Sequence, residues 1–130
     1  DALTAAGAMG ELVAAHAGTV TDSAGKPQKV NRAAPNAPSV IYDAAIVPGG
    51  ASAAALAADG LAIHFLNEAY RHGKPLAAFG DGAAVLGATA IGDAGPEDGV
   101  IVGEVREIGR FIDALKQHRF PRRKVEAVPA

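Results

Sequence analysis

Any chemistry in this 130-residue chain must be carried without a single cysteine. The strongest acidic candidate is Asp81. It stands between Gly80 and Gly82, directly after the apolar run Leu76-Ala77-Ala78-Phe79. A carboxylate at the carboxyl end of a strand lies in the crevice where open α/β sheets take their ligands. At the start of a following helix it is equally an ordinary N-terminal cap. Asp81 is a lone acid with no catalytic partner beside it, so the capping role is expected. A second candidate is Pro48-Gly49-Gly50-Ala51-Ser52, which leads into a helix start. Backbone N–H groups at Gly49, Gly50 and Ser52 are weak candidates for receiving an anion. The segment lacks the GxGxxG spacing and the phosphate-binding lysine of nucleotide sites, and a tight turn explains it as well.

The four histidines do not make a metal site by spacing. His64 and His72 are about 12 Å apart along one helix, and His16 and His118 have no partners at ligand spacing. His72, just before Gly73, is expected to meet the carbonyls at its helix end, and Arg71 to pair with Glu68, Asn67 or another domain. Lys116, Arg119, Arg122, Arg123 and Lys124 make the C-terminal end basic. They read either as a patch for an acidic partner or, preferably, as solvated charge at a helix end and in an extended tail. No aromatics interleave with them and the net charge is −2, so nucleic-acid binding is not expected.

Composition bounds what can position these residues. Apolar residues make up 49% of the chain, but 31 positions are alanine and 16 glycine, which calls for thin elements packed closely in one domain. No apolar run approaches the roughly 20 residues of a membrane-spanning helix. Asp1-Ala2-Leu3 is not the basic opening of a signal peptide, and the absence of cysteine suits the cytoplasm.

Two buried-type strands are predicted at Asp43–Val47 and Leu76–Phe79, and a third at Val100–Val102. Shorter strands are expected at Met9–Ala15 and Gly18–Val20, with Lys29-Val30 pairing back after the Asp22–Pro27 turn. Residues 31–39 read as loop. Helices are predicted over Ala51–Ala58, Leu61–His72, Ala83–Ala88 and Glu104–His118. In the second, Leu61, Phe65 and Tyr70 point inward while Asn67, Glu68 and Arg71 face water. In the last, Val105, Ile108, Phe111, Ile112 and Leu115 share the apolar side. The alternation predicts an α/β domain over residues 1–120, with a mainly parallel sheet and helices on both faces, followed by an extended tail over 121–130. The first element is a helix end, Asp1 to Ala6, with no strand before it. A doubly wound sheet places its first strand near the middle. That strand is therefore expected outside this sequence or from another chain, and Met9–Ala15 has no obvious neighbour.

Three segments carry a family resemblance: YDAAIVPGG (Tyr42 to Gly50), LAADGLAIHFLNEAYRHGKPLAAFGDGAAVL (Leu56 to Leu86) and DGVIVG (Asp98 to Gly103). Together they resemble the C-terminal domain of large-subunit haem catalases. That domain is similar to the class I glutamine-amidotransferase-like and PfpI-type superfamily, which implies a flavodoxin-like three-layer sandwich, here lacking its first strand. In enzymatic members a cysteine nucleophile occupies the sharp turn after the strand matching Leu76–Phe79. The resemblance places Gly80 at the cysteine position, Asp81 at a position often held by histidine, and Gly82 at a retained glycine. It implies a vestigial elbow at Gly80, Asp81 and Gly82, with no catalytic residue.

The implied function is that of a non-catalytic accessory domain. The full chain would decompose hydrogen peroxide to water and oxygen in a preceding haem core. Tyr42 and Tyr70 do not match the iron-ligand motif, so no cofactor is expected in these 130 residues. The implied partners are the catalase core of the same polypeptide and neighbouring subunits of a cytoplasmic homotetramer. The role would lie in stability, assembly or haem access. Two alternatives stay open: a chaperone-like protein-binding module, and a free-standing PfpI-type hydrolase or glyoxalase, which the missing cysteine disfavours.

Overall fold

The computed structural model describes residues 1–129. Its centre is a three-stranded parallel sheet made of β5 (Ala45–Val47), β6 (Leu76–Phe79) and β7 (Val100–Gly103), in that order. Strand alternation divides the core in two. Leu76 and Ala78 project into a cluster with Val47, Leu66, Tyr70, Val85 and Val100. Ala77 and Phe79 project the other way, onto Ile101 and Phe111. The first face is covered by α2 (Ala53–Ala57), α3 (Gly60–Arg71) and α4 (Ala83–Gly87), and the second by α1 (Ala2–Ala5) and α5 (Ile108–Gln117). The result is the expected three-layer α/β sandwich, consistent with a flavodoxin-like fold. All four β6 residues are buried, which matches their continuous apolar sequence.

Two smaller sheets flank this centre. β2 (Thr19–Thr21) and β3 (Pro27–Lys29) form an antiparallel hairpin around Asp22, whose carboxylate accepts from the Ala24 and Lys26 N–H groups. The strand expected over Met9–Ala15 is confined to β1 (Val13–Ala14). It does have a neighbour, the parallel β4 (Arg32–Ala33), inside a segment expected to be loop. The pairing is held by main-chain groups and by Asn31 Oδ1, which accepts from the Leu12 N–H at 2.7 Å, so no apolar pattern announces it.

Several side chains depart from their expected positions. β5 is an edge strand, and Ala45 and Ile46 are only half-buried. Leu61 is 49% exposed because it occupies the first turn of α3, ahead of the core contact. Asn67 is buried rather than solvated, and its Oδ1 accepts from the Ala90 N–H. Val105 is 69% exposed because the chain makes a 3-10 turn there before α5 begins. Residues 121–129 form neither helix nor strand, yet Arg123 and Val128 are buried in the domain.

Candidate functional site

The turn after β6 is sharp. Gly80 has φ +54°, a left-handed conformation that disfavours any residue with a Cβ. The chain then makes a 3-10 turn through Gly82 into α4. Gly80 is exposed, and the nearest atom to a Cβ built there is the Gly49 Cα at 3.8 Å. The position has room for a side chain and carries none.

The turn after β5 lies directly against this elbow. A Cβ on Gly82 would stand 2.7 Å from the Val47 carbonyl oxygen and 2.8 Å from that of Pro48. A Cβ on Gly49 would stand 2.9 Å from the Phe79 carbonyl oxygen. Both glycines are thus required by close approach of two main chains. The structure brings Gly49, Gly80 and Gly82, which the sequence offered as members of two separate candidates, together as interlocked backbone. Gly50 and Ser52 lie on the outer side of their turn, exposed, and Ser52 makes no side-chain bond to the five-residue α2.

Asp81 does not act as the expected cap. It is exposed, and no helix N–H donates to its carboxylate, because the residue already lies within the 3-10 turn instead of ahead of it. The side-chain N-cap in this layer is Asp59, whose Oδ1 accepts from the N–H groups of Leu61 and Ala62.

The other candidates are dispersed. His64 Nε2 lies 3.8 Å from Glu68 Oε2 on α3. His118 lies beside Asp43, which also meets Arg119. Among the described residues no three histidines, cysteines or acids come together in a metal-holding group. His72 does not bond the end of α3. The side chain that does so is Arg123, on the Tyr70 carbonyl, while Arg71 donates to the main-chain carbonyls of Val125 and Val128, not to Glu68 or Asn67.

Arg123, the most deeply placed cation of the basic segment, is 7% exposed. Its fork donates to the carbonyls of Asp98, Tyr70 and Lys74, and its guanidinium stacks over the Tyr70 ring at 4.5 Å and the Phe120 ring at 5.4 Å. Burial pushes its pKa down to about 10, so it remains charged at neutral pH. This is a structural clasp, a role the charge count could not separate from a solvated tail. Lys74, also buried, donates to the Ser39 carbonyl, and burial lowers its pKa.

Both tyrosines hold their protons more firmly than usual. Tyr70 is 3% exposed beneath Arg123, and burial raises its pKa. Burial, and then the bond that its hydroxyl donates to Glu11, raises that of Tyr42.

This α/β sandwich matches, over residues 1–125, the family described as the C-terminal domain found in long catalases. The chain belongs to that family. It is 39% identical over 134 residues to catalase HPII of Pseudomonas aeruginosa, covering 100% of this chain and 19% of that protein. It is 35% identical over 140 residues to catalase HPII of Mycobacterium avium, covering 95% and 20%. The chain therefore spans about one fifth of the length of these relatives.

Proposed function

We propose that this chain is the non-catalytic C-terminal accessory domain of a long catalase, and that the full protein decomposes hydrogen peroxide in a separate haem core. The observation that carries this reading is the elbow at Gly80. Its positive φ and its place at the end of a strand support reading it as the turn that presents a nucleophile in related enzymes, here with only hydrogen at the Cα. Family membership over residues 1–125 supports the catalase parent. The contribution of the domain is then physical: added buried surface slows dissociation and unfolding of the subunits that carry haem. A homotetrameric, cytoplasmic parent is part of the same proposal.

The test compares the full-length protein with a version lacking this domain. Turnover of peroxide per haem should persist in the shortened protein, while its half-life on heating falls. Peroxide decomposition, or aldehyde or peptide hydrolysis, by the isolated 130 residues would overturn the proposal. So would an unchanged half-life and assembly state after the domain is removed.

A further inference from the structure

A cleft of about 350 Å³ opens where the end of α3 meets residues 119–125. Arg71, His72, Arg119 and Arg123 line it, and among the described residues no carboxylate does. Arg123 is fixed by its three carbonyls. The other three keep donors to spare. Arg71 spends only Nη1, on the Val125 and Val128 carbonyls, which leaves its Nε and Nη2. Arg119 gives Nη1 to the His118 carbonyl and sets Nη2 3.6 Å from Asp43, which leaves its Nε. The exposed His72 ring has no partner among the described residues. The charge is not balanced from within the fold either. Lys74, buried just beyond α3, has its pKa lowered by burial and then by the Arg119 guanidinium, with Asp43 and Glu68 opposing this more weakly. A cleft lined by three guanidinium groups and no acid holds a positive potential that concentrates anions.

We propose that this cleft binds a small phosphate-bearing molecule, with the phosphoryl group against Arg71, His72 and Arg119. Guanidinium forks pair their N–H groups with phosphate oxygens, and a dianion answers three such groups better than a single carboxylate does. The cleft is larger than a bare phosphate ion, and Pro121 and Val125 give the rest of the ligand an apolar wall. The site is built rather than incidental, because Arg71 is aimed by the carbonyls of Val125 and Val128 and the wall opposite it by the buried Arg123. The proposal stands whether or not the full protein decomposes peroxide.

Isothermal titration calorimetry on the full-length protein tests it, with inorganic phosphate and phenyl phosphate as the titrants. At least one should bind with a dissociation constant below about 1 mM. Tighter binding of phenyl phosphate supports a phosphomonoester as the ligand, and equal binding supports free phosphate. Arg119→Ala should weaken binding roughly tenfold and His72→Ala about threefold. Lys116→Ala, which removes a nearby positive charge outside the cleft, should leave it unchanged. His72 is exposed and unbonded, so its variant should melt with the unaltered protein and decides the matter if Arg119→Ala does not fold. Absence of binding by both titrants overturns the proposal. So does binding that neither cleft substitution weakens, or that Lys116→Ala weakens as much, since the latter marks general attraction to positive charge. Binding of a hexaglutamate peptide in place of both phosphates overturns it as well, and marks an acidic protein segment as the occupant.

Discussion

Replacing Gly82 by alanine should destabilise the domain by about 3 kcal/mol, while the same change at Gly80, two residues earlier, should cost no more than about 1 kcal/mol. The two glycines are needed for different reasons. At Gly82 the backbone is helical, with φ −59°, so alanine meets no conformational penalty and gains slightly in helix propensity. Its Cβ would nevertheless stand 2.7 and 2.8 Å from two carbonyl oxygens of the Val47-Pro48 main chain, well inside van der Waals contact. A flexible side chain could move aside; the end of β5 cannot, because it belongs to the sheet. Separating the two turns disturbs the β5–β6 junction. At Gly80 the situation reverses. Space is available, with the nearest atom at 3.8 Å, but φ is +54°. The left-handed penalty of about 1–2 kcal/mol is partly offset by the stiffer unfolded chain. Urea unfolding of both variants, followed by circular dichroism with equal slopes, measures the difference directly. If Gly82→Ala is as stable as Gly80→Ala, or more so, the two turns do not interlock as described.

Three further outcomes are expected. Arg123→Ala should destabilise by about 3–5 kcal/mol in thermal or urea unfolding, since three carbonyls lose a charged donor and two rings lose their cation, and Arg123→Lys should recover less than half of that loss. Equal stability of the lysine variant would show that charge, not the fork, holds the segment. Gly80→Cys should give a folded protein with a thiol that iodoacetamide modifies in the native state, and no hydrolysis of aldehyde adducts or peptides; turnover would mean that an assisting acid had been overlooked. Glu11 is held below the usual carboxylate range, first by the Tyr42 hydroxyl and then by Arg32. Its stabilising effect is therefore complete above the unfolded value near 4.5 and lost as pH falls through the lower folded value. Unfolding measured from pH 6 to 3 should fall less steeply for Tyr42→Phe than for the unaltered protein.

The sequence was most legible where one physical cause dominates. Leu76–Phe79 is apolar at every position because both of its faces are covered, and its bounds are those expected. The glycines near Asp81 stood out for their type, although their reason, the close approach of two turns, belongs to tertiary structure. β4 escaped notice because Arg32–Ala33 pairs through main-chain groups and Asn31, which leave no periodicity. Asn67 was placed in water by its polarity, yet one amide acceptor satisfies the Ala90 N–H inside the fold. Arg123 was grouped with solvated charge for the same reason. Its partners are carbonyls, and a sequence does not show where carbonyls converge. Asp81 was expected to cap a helix whose first turn starts one residue too early for it.

Arg71 and Arg123 join residues 121–128 to the core by hydrogen bonds to backbone oxygens, so apart from the Tyr70 and Phe120 rings under Arg123 the clasps do not read the identity of the residues they fasten. Lys124, Glu126 and Ala127 point outward between those anchor points. Their side chains are free to diverge, in charge as well as size, without loosening the buckle. The outer surface of this strap can thus be rewritten for new neighbours while its fastening stays the same.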